Sequence, residues 1–447
     1  MRGITILTAI ALGICLGAQP QQPLSTFLIA PQRDAWRSAS STPGSSLSAD
    51  GRSIAFESYA RLAPADTNKY CDVYVLERAT GRVTLESVST GGEVLPGGGS
   101  TPRLSGDGRY LVFDTVIQAA DSLATGTEIV LRDRTQQTTR WVSRNPSGAV
   151  PAGSSRHPAI SGDGRIVGFA SSVADLVAGR DENGNSEDVY LFEVATGRTR
   201  RINTDSQSLQ RSDGASYSPS ISGDGRYVAF TSTARLDGGP AVFTAGRPVA
   251  SIYVRDTELG TTERVSLHAA GMPPDGHSSD PSISRDGRYV VFASEATNLV
   301  PGDRNRSPDI FLRDLRRLSL VLISRATSGG PANGASRTPV VSGDGRFVAF
   351  QSEASDLICA RRCPAADEDI NLVPDVFRFD RLTGLMIRIS GGSGGGWPEE
   401  SSSPQFDSAG EVIAFASRHP IDEQDISHDF DLFVRIETPT ASITRRH

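Results

Sequence analysis

The chain has 447 residues, 45 of them Gly and 26 Pro, with 37% hydrophobic and 6% aromatic residues. That composition excludes a collagen-like or low-complexity chain and leaves room for a large buried core. The net charge of −7, from 45 basic and 52 acidic residues, argues against a non-specific nucleic-acid binder, and Lys69 as the only lysine argues against Schiff-base chemistry.

In chain order, Arg2 supplies a short positive region and Ile4 to Leu16 an apolar run of 13 residues. The run is too short to span a bilayer and suits a secretory signal cleaved near Gly17 or Ala18. Residues 1–18 are therefore read as a signal peptide and 19–447 as one exported domain, periplasmic or secreted. Cys15 ends the run as a lipidated Cys would, but Ile14 stands where a small residue is expected. No later segment is long and apolar enough to cross a membrane. Residues 26–30 (TFLIA) read as a strand ahead of everything else.

A single motif then occurs seven times. Its cores lie at 48–56, 105–113, 161–169, 222–230, 284–292, 342–350 and, worn, at 407–415. The closing Phe residues step by 57, 56, 61, 62, 58 and 65 positions. In one copy, Pro281 to Ser284 is a short strand and Arg285-Asp286-Gly287 a tight turn, because Asp-Gly supplies the positive φ of a hairpin. Tyr289 to Ser294 returns with Val290 and Phe292 on one face. A third strand follows, as in Asp72-Val-Tyr-Val-Leu or Asp309-Ile-Phe-Leu-Arg, then a turn such as Ala79-Thr-Gly81. The fourth strand is placed at segments such as Trp141-Val-Ser143 or Arg264-Val-Ser266.

Four antiparallel strands repeated seven times predict an all-β fold, a seven-bladed β-propeller rather than a six-bladed one. The Pro-x-Ile-Ser-x-Asp-Gly-Arg-Tyr-Val-Phe cores resemble the WD40-like propeller repeats of the TolB type over residues 40–437. The resemblance implies the propeller. TolB itself differs, with an α/β domain ahead of a six-bladed propeller, so its envelope role is not carried across. The strand at 26–30 is expected to complete the last blade, with Ala441 to Ile443 as the alternative.

Connectivity puts the short Asp-Gly and Thr-Gly turns on one face and all long, variable loops on the other, where binding residues concentrate. One pattern recurs on the long-loop face. Asp66-x-Asn68-x3-Asp72 is matched by Asp303, Asn305 and Asp309 and by Asp369, Asn371 and Asp375. Asp181, Asn183, Asn185 and Asp188 form a longer copy, and Asp425, Ser427, Asp429 and Asp431 a variant. Alternating oxygens suit Ca2+, a hard cation, while the same residues also cap turns through their own backbone. No cofactor is required on this reading, and Ca2+ is an optional stabiliser.

The residues before each first strand should ring the channel mouth, giving a collar whose strongest groups are Arg156, His157, Tyr217, Asp280 and Arg337. Once Cys15 leaves with the signal, Cys359 and Cys363 can close a small disulfide loop and Cys71 is left free. Gly391 to Gly395 formally matches a nucleophile elbow but sits in a Gly/Ser loop. No zinc-protease, phosphate-loop or dinucleotide motif is present. The expectation is a monomeric, non-enzymatic binding propeller for a protein, peptide or glycan. The alternative is a glycan hydrolase or lyase over the channel.

Overall fold

The computed structural model describes the backbone of residues 25–30 and residues 44–118, 125–145, 147–148, 153–179, 181–210, 213–239, 242–303, 305, 307–358, 373–390, 400–418 and 430–436. Residues 1–18, expected to be a signal peptide, and Cys359, Cys363, Asp369, Asn371, the 391–395 loop, Asp425, Ser427, Asp429 and the 441–443 segment lie outside these residues. Among the described residues there is no helix, and so none able to cross a membrane.

Seven four-stranded antiparallel sheets form the blades. Their innermost strands begin at Ser45, Ser100, Ser155, Ser216, Ser278, Ser336 and Ser401. Blade five shows the plan, with Ser278–Ile283 innermost, then Tyr289–Ser294, Asp309–Asp314 and Ser319–Leu322. The seventh blade takes its outer strand from the other end of the chain: Ser25–Ala30 pairs antiparallel with Asp431–Ile436. The N-terminal strand thus closes the ring, as expected of residues 26–30.

The repeated motif earns its residues by building the inner hairpin. In blade five the Ser284 hydroxyl donates to Asp286 Oδ1 at 2.6 Å and accepts from Tyr289 N at 2.9 Å, and Arg288 N donates to the same Asp oxygen at 3.0 Å. Gly287 takes φ 68°, which favours Gly. The motif Arg reaches the end of the third strand: Arg109–Asp133, Arg226–Asp256, Arg288–Asp314 and Arg346–Asp380 meet at 2.7, 2.7, 2.8 and 2.8 Å. These groups hold strands and are not free for chemistry.

Side chains alternate between the two faces of each sheet, and both faces are buried. Val290 and Phe292 pack toward blade four, Tyr289 and Val291 toward blade six. Among the described residues seven buried apolar clusters result, one at each blade junction. Within six blades the motif Phe stacks on an aromatic ring of the third strand, as Phe292 does on Phe311 at 5.8 Å.

The fourth strands differ from expectation. They end at Trp141 and Arg264 and begin earlier, at Thr138 and Thr261. The following serines leave the ladder to accept a backbone N–H of the third strand: Ser143 from Ile129 at 2.8 Å, Ser266 from Ile252 at 2.9 Å.

The Arg–Asp pairs carry a pH dependence. Burial alone would raise the Asp380 carboxyl, but Arg346 and the Leu382 N–H outweigh it and hold the pKa at about 2. A depressed carboxyl stabilises the fold fully above its unfolded pKa of about 4, and the contribution is lost as pH falls through about 2. Arg346→Gln is expected to move the acid-unfolding midpoint to higher pH, read by fluorescence against wild type.

Candidate functional site: the central channel

The innermost strands of blades two to seven share an irregularity. Thr101, His157, Ser218, Asp280, Thr338 and Ser403 all hold φ between 49° and 55°, each directly before a Pro. A register shift accompanies each, as between Arg156 and Ala159 or Ser279 and Ser282. A bulge re-aims a side chain, and non-Gly residues in the left-handed region store about 1–3 kcal/mol each. The consequence is visible at the axis. All six pre-Pro residues line one cavity of about 430 Å3 that runs down the channel.

Of the expected collar, His157 and Asp280 line this cavity, while Arg156, Tyr217 and Arg337 are not among its lining residues. Those three stand one position earlier, ahead of the re-aimed residue, and pair with the second strand at Ala170, Thr231 and Gln351. Arg156 is tied to Glu187. The innermost strands begin at Ser155, Ser216 and Ser336, so these residues lie within the strand and not in a loop ahead of it. His157 is open to the channel yet walled by protein. Desolvation by those walls lowers its pKa, Arg156 and Arg103 acting the same way against Glu187 and Asp280.

Four further groups were missed, and each is a departure from the repeat. Arg103 lines the cavity where the other blades carry Ala159, Ser220, Ser282, Val340 and Gln405. Glu57 and Asp114 follow the motif Phe where the others have Ala170, Thr231, Ala293, Gln351 and Ala416. Glu57 accepts from Thr101 N at 2.6 Å, and Asp114 accepts from the Ser100 hydroxyl. Burial pushes both carboxyls up, with Arg103 opposing.

The fourth departure closes the other end of the channel. Neighbouring Asp-Gly turns are joined by backbone bonds that run round the axis: Ala49 to Gly106, Gly106 to Gly162, Asp163 to Gly223, Gly223 to Arg285, Arg285 to Gly343, Asp344 to Ser408 and Ser408 to Ala49, at 2.8–3.0 Å. Arg285 stands where four other blades have Gly. Its side chain crosses the ring, since a Cβ on Gly223 would lie 2.2 Å from its Cγ, one on Gly162 3.7 Å from Cζ and one on Gly106 3.5 Å from Nη1. The channel is therefore obstructed by a guanidinium at the turn face.

The Asp/Asn loops fall into two kinds. In blade three Asp181, Asn183 and Asp188 come together, and Arg201 stands against both carboxylates, 2.9 Å from Asp188 and 3.6 Å from Asp181. Asn185 is exposed and makes none of these bonds. Asp375 of blade six likewise meets Arg388 at 3.4 Å. Blade one has no such partner: Tyr74 donates to Asp66 Oδ2 at 2.6 Å and Ser87 to Asp72 Oδ1 at 2.6 Å, while Asp66 Oδ1 and Asp72 Oδ2 are buried without a hydrogen bond. In blade five Asp309 bonds Ser324 and Asn305, and Asp303 Oδ1 is buried without a partner. Burial pushes Asp72 and Asp309 up to about 6, the facing Asp66 and Asp303 adding to it. Asp431 opens the third strand of blade seven, buried. Among the described residues no three His, Cys, Asp or Glu side chains group as a metal site, and the loops of blades one, three and five each offer a carboxylate pair and an amide. Cys71 is a free thiol. A small hairpin, Phe243–Thr244 with Arg247–Pro248, adds an exposed Phe243 to the long-loop face of blade four.

No protein-family model and no curated protein matches the sequence. Among solved structures, an oligogalacturonate lyase from Vibrio parahaemolyticus aligns at TM-score 0.52 and 11% identity, over 93% of this chain and 97% of that one. An acylaminoacyl peptidase from Pyrococcus horikoshii aligns at 0.51 and 11%, over 89% of this chain but only 52% of its own length. TolB from Acinetobacter baumannii aligns at 0.38 and 16%, over 82% and 76%. At such identities the likeness is one of fold alone. Together with the seven four-stranded blades, it shows the fold of this chain, a seven-bladed β-propeller.

Proposed function

We propose that this propeller is an exported, non-enzymatic binding module that receives a protein, peptide or glycan at the channel mouth on its long-loop face. The observation that carries the reading is the set of six left-handed pre-Pro residues. The fold sustains strain at six equivalent places, and the common result is a polar channel wall. Strain of this kind persists where the surrounding structure enforces it, and it clusters at ligand sites. Thr101, Ser218, Ser220, Ser282, Thr338 and Ser403 offer hydroxyls to the wall, with His157 and Asp280 as the specific groups near the mouth and Arg285 facing any anionic end that reaches the floor.

The test is binding of the purified protein to peptide and glycan arrays, followed by titration of the best probe. His157→Ala with Asp280→Ala is expected to weaken it at least about 10-fold, the scale of one or two lost hydrogen bonds, with an unchanged melting temperature. Equal affinity in wild type and variant would remove the channel from the reading.

One observation favours the enzymatic alternative, a glycan hydrolase or lyase. Glu57 and Asp114 are carboxyls raised by burial beside Arg103, an arrangement that suits proton transfer. Turnover of a bound glycan that Glu57→Gln abolishes while leaving its affinity intact would replace the binding reading with this one.

A further inference from the structure

In blade three the oxygens of the acidic loop converge on one point. Asp181 Oδ1, Asn183 Oδ1 and Asp188 Oδ2 all accept from Nε2 of Gln210, at 2.7, 2.9 and 2.9 Å. The Arg201 guanidinium lies against the same carboxylates. The blade thus supplies its own cation and its own central donor.

The sheet registers identify the equivalent positions in blade one. Arg201 faces Tyr190 across the strands, and Leu85 faces Tyr74 in the same way. Gln210 bridges Thr204, and Val94 bridges Val88. Blade one therefore keeps Asp66, Asn68 and Asp72 but has Leu and Val where blade three has Arg and Gln. Asp66 is 6% and Asp72 0% exposed, and each has one oxygen without a hydrogen bond. Two buried carboxylates with no counter-charge are unfavourable unless something positive joins them. Neither a water nor a hydroxyl would supply that charge.

We infer that blade one holds a Ca2+ ion between Asp66 and Asp72, at the place that Gln210 and Arg201 fill in blade three. The ligands are hard oxygens, and Ca2+ takes six to eight of them from carboxylates, amide or backbone carbonyls and water. Mg2+ fits less well, because it demands near-ideal octahedral geometry and gives up water reluctantly. Blade five repeats the pattern in weaker form. Leu322 and Pro331 occupy the Arg and Gln positions and Asp303 Oδ1 is unpartnered, but both oxygens of Asp309 are already bonded. The inference concerns stability and stands apart from the proposed ligand.

Full-length protein stripped with EDTA is titrated with CaCl2 by calorimetry and with Tb3+ by luminescence, Tyr74 serving as sensitiser through its bond to Asp66. Saturating Ca2+ at about 100 times Kd is expected to raise the folded-to-unfolded ratio about 100-fold, seen as a higher melting temperature. Asp72→Asn is expected to reduce the bound Ca2+ by one ion per chain and to quench the sensitised Tb3+ signal. Leu85→Arg with Val94→Gln transplants the blade-three arrangement and should make that ion unnecessary, so that EDTA no longer lowers the melting temperature through blade one. Where that double variant fails to fold, Arg201→Leu with Gln210→Val in blade three gives the reverse reading, a gain of one Ca2+. A Ca2+ stoichiometry unchanged by Asp72→Asn, or no Ca2+ uptake by wild type, overturns the site.

Discussion

Phe292→Ala is expected to destabilise the protein by about 3–5 kcal/mol, the cost of truncating a fully buried Phe. The ring is 0% exposed and packs at the junction of blades four and five with Val265, Ile283, Leu299 and Phe311. Two terms add. The lost apolar surface and the cavity left behind supply most of the loss, because the neighbouring strands are fixed by ladders on both sides and cannot collapse inward. The stacked pair with Phe311 contributes about 0.5–1.5 kcal/mol more. Urea unfolding followed by fluorescence reads the change. Phe243→Ala is the contrast, since that ring is 60% exposed and its loss should fall within about 0.5 kcal/mol. If the two variants lost the same stability, the blade junctions would not be the source of the fold's cohesion.

That contrast bears on what the sequence could disclose. The hairpin was legible because its local chemistry is closed: Ser284, Asp286 and Gly287 satisfy one another within six residues. The N-terminal closure was legible as well, from one strand-like segment with no partner nearby. The channel wall was not. A residue before proline is expected in the extended region, yet Asp280 and its five counterparts are left-handed because the inner strand must bulge where the blades crowd the axis. The bulge brings His157 and Asp280 into the cavity wall. Arg103, Glu57, Asp114 and Arg285 were visible in principle as breaks in the repeat. In an array of this kind the shared residues report architecture, and the exceptions mark where one blade does something its neighbours do not. The acidic loops show the same point in reverse. Asp66, Asn68 and Asp72 could be read as a motif, but its meaning depended on Leu85 and Val94, which reach it only through the folded sheet.

Deleting residues 25–30 is expected to have the largest effect of all, loss of the cooperative ring. The strand makes five paired positions with the third strand of blade seven, from Ser25 opposite Ile436 to Ala30 opposite Leu432. Its removal leaves that blade with three strands and an open edge carrying unpaired N–H and C=O groups, a template for association. More is lost than one edge. The first blade follows this strand in the sequence, beginning at Ser45, so the pairing ties the first and last blades together across the whole repeat array. Without it the blade-seven to blade-one junction, built from Leu47, Ile54, Phe56, Val412, Ala414 and Val434, is held by packing and the turn-face ring alone. The expected result is a broad melt at much lower temperature and concentration-dependent oligomers by light scattering. A peptide of residues 24–31 added in trans should suppress the oligomers, because strand addition covers the exposed edge, but should leave the melting temperature low, because it does not rejoin the first blade to the last. Deleting residues 437–447 should change neither. A deletion of 25–30 that stayed monomeric with the wild-type melting curve would mean that the blades close without a clasp.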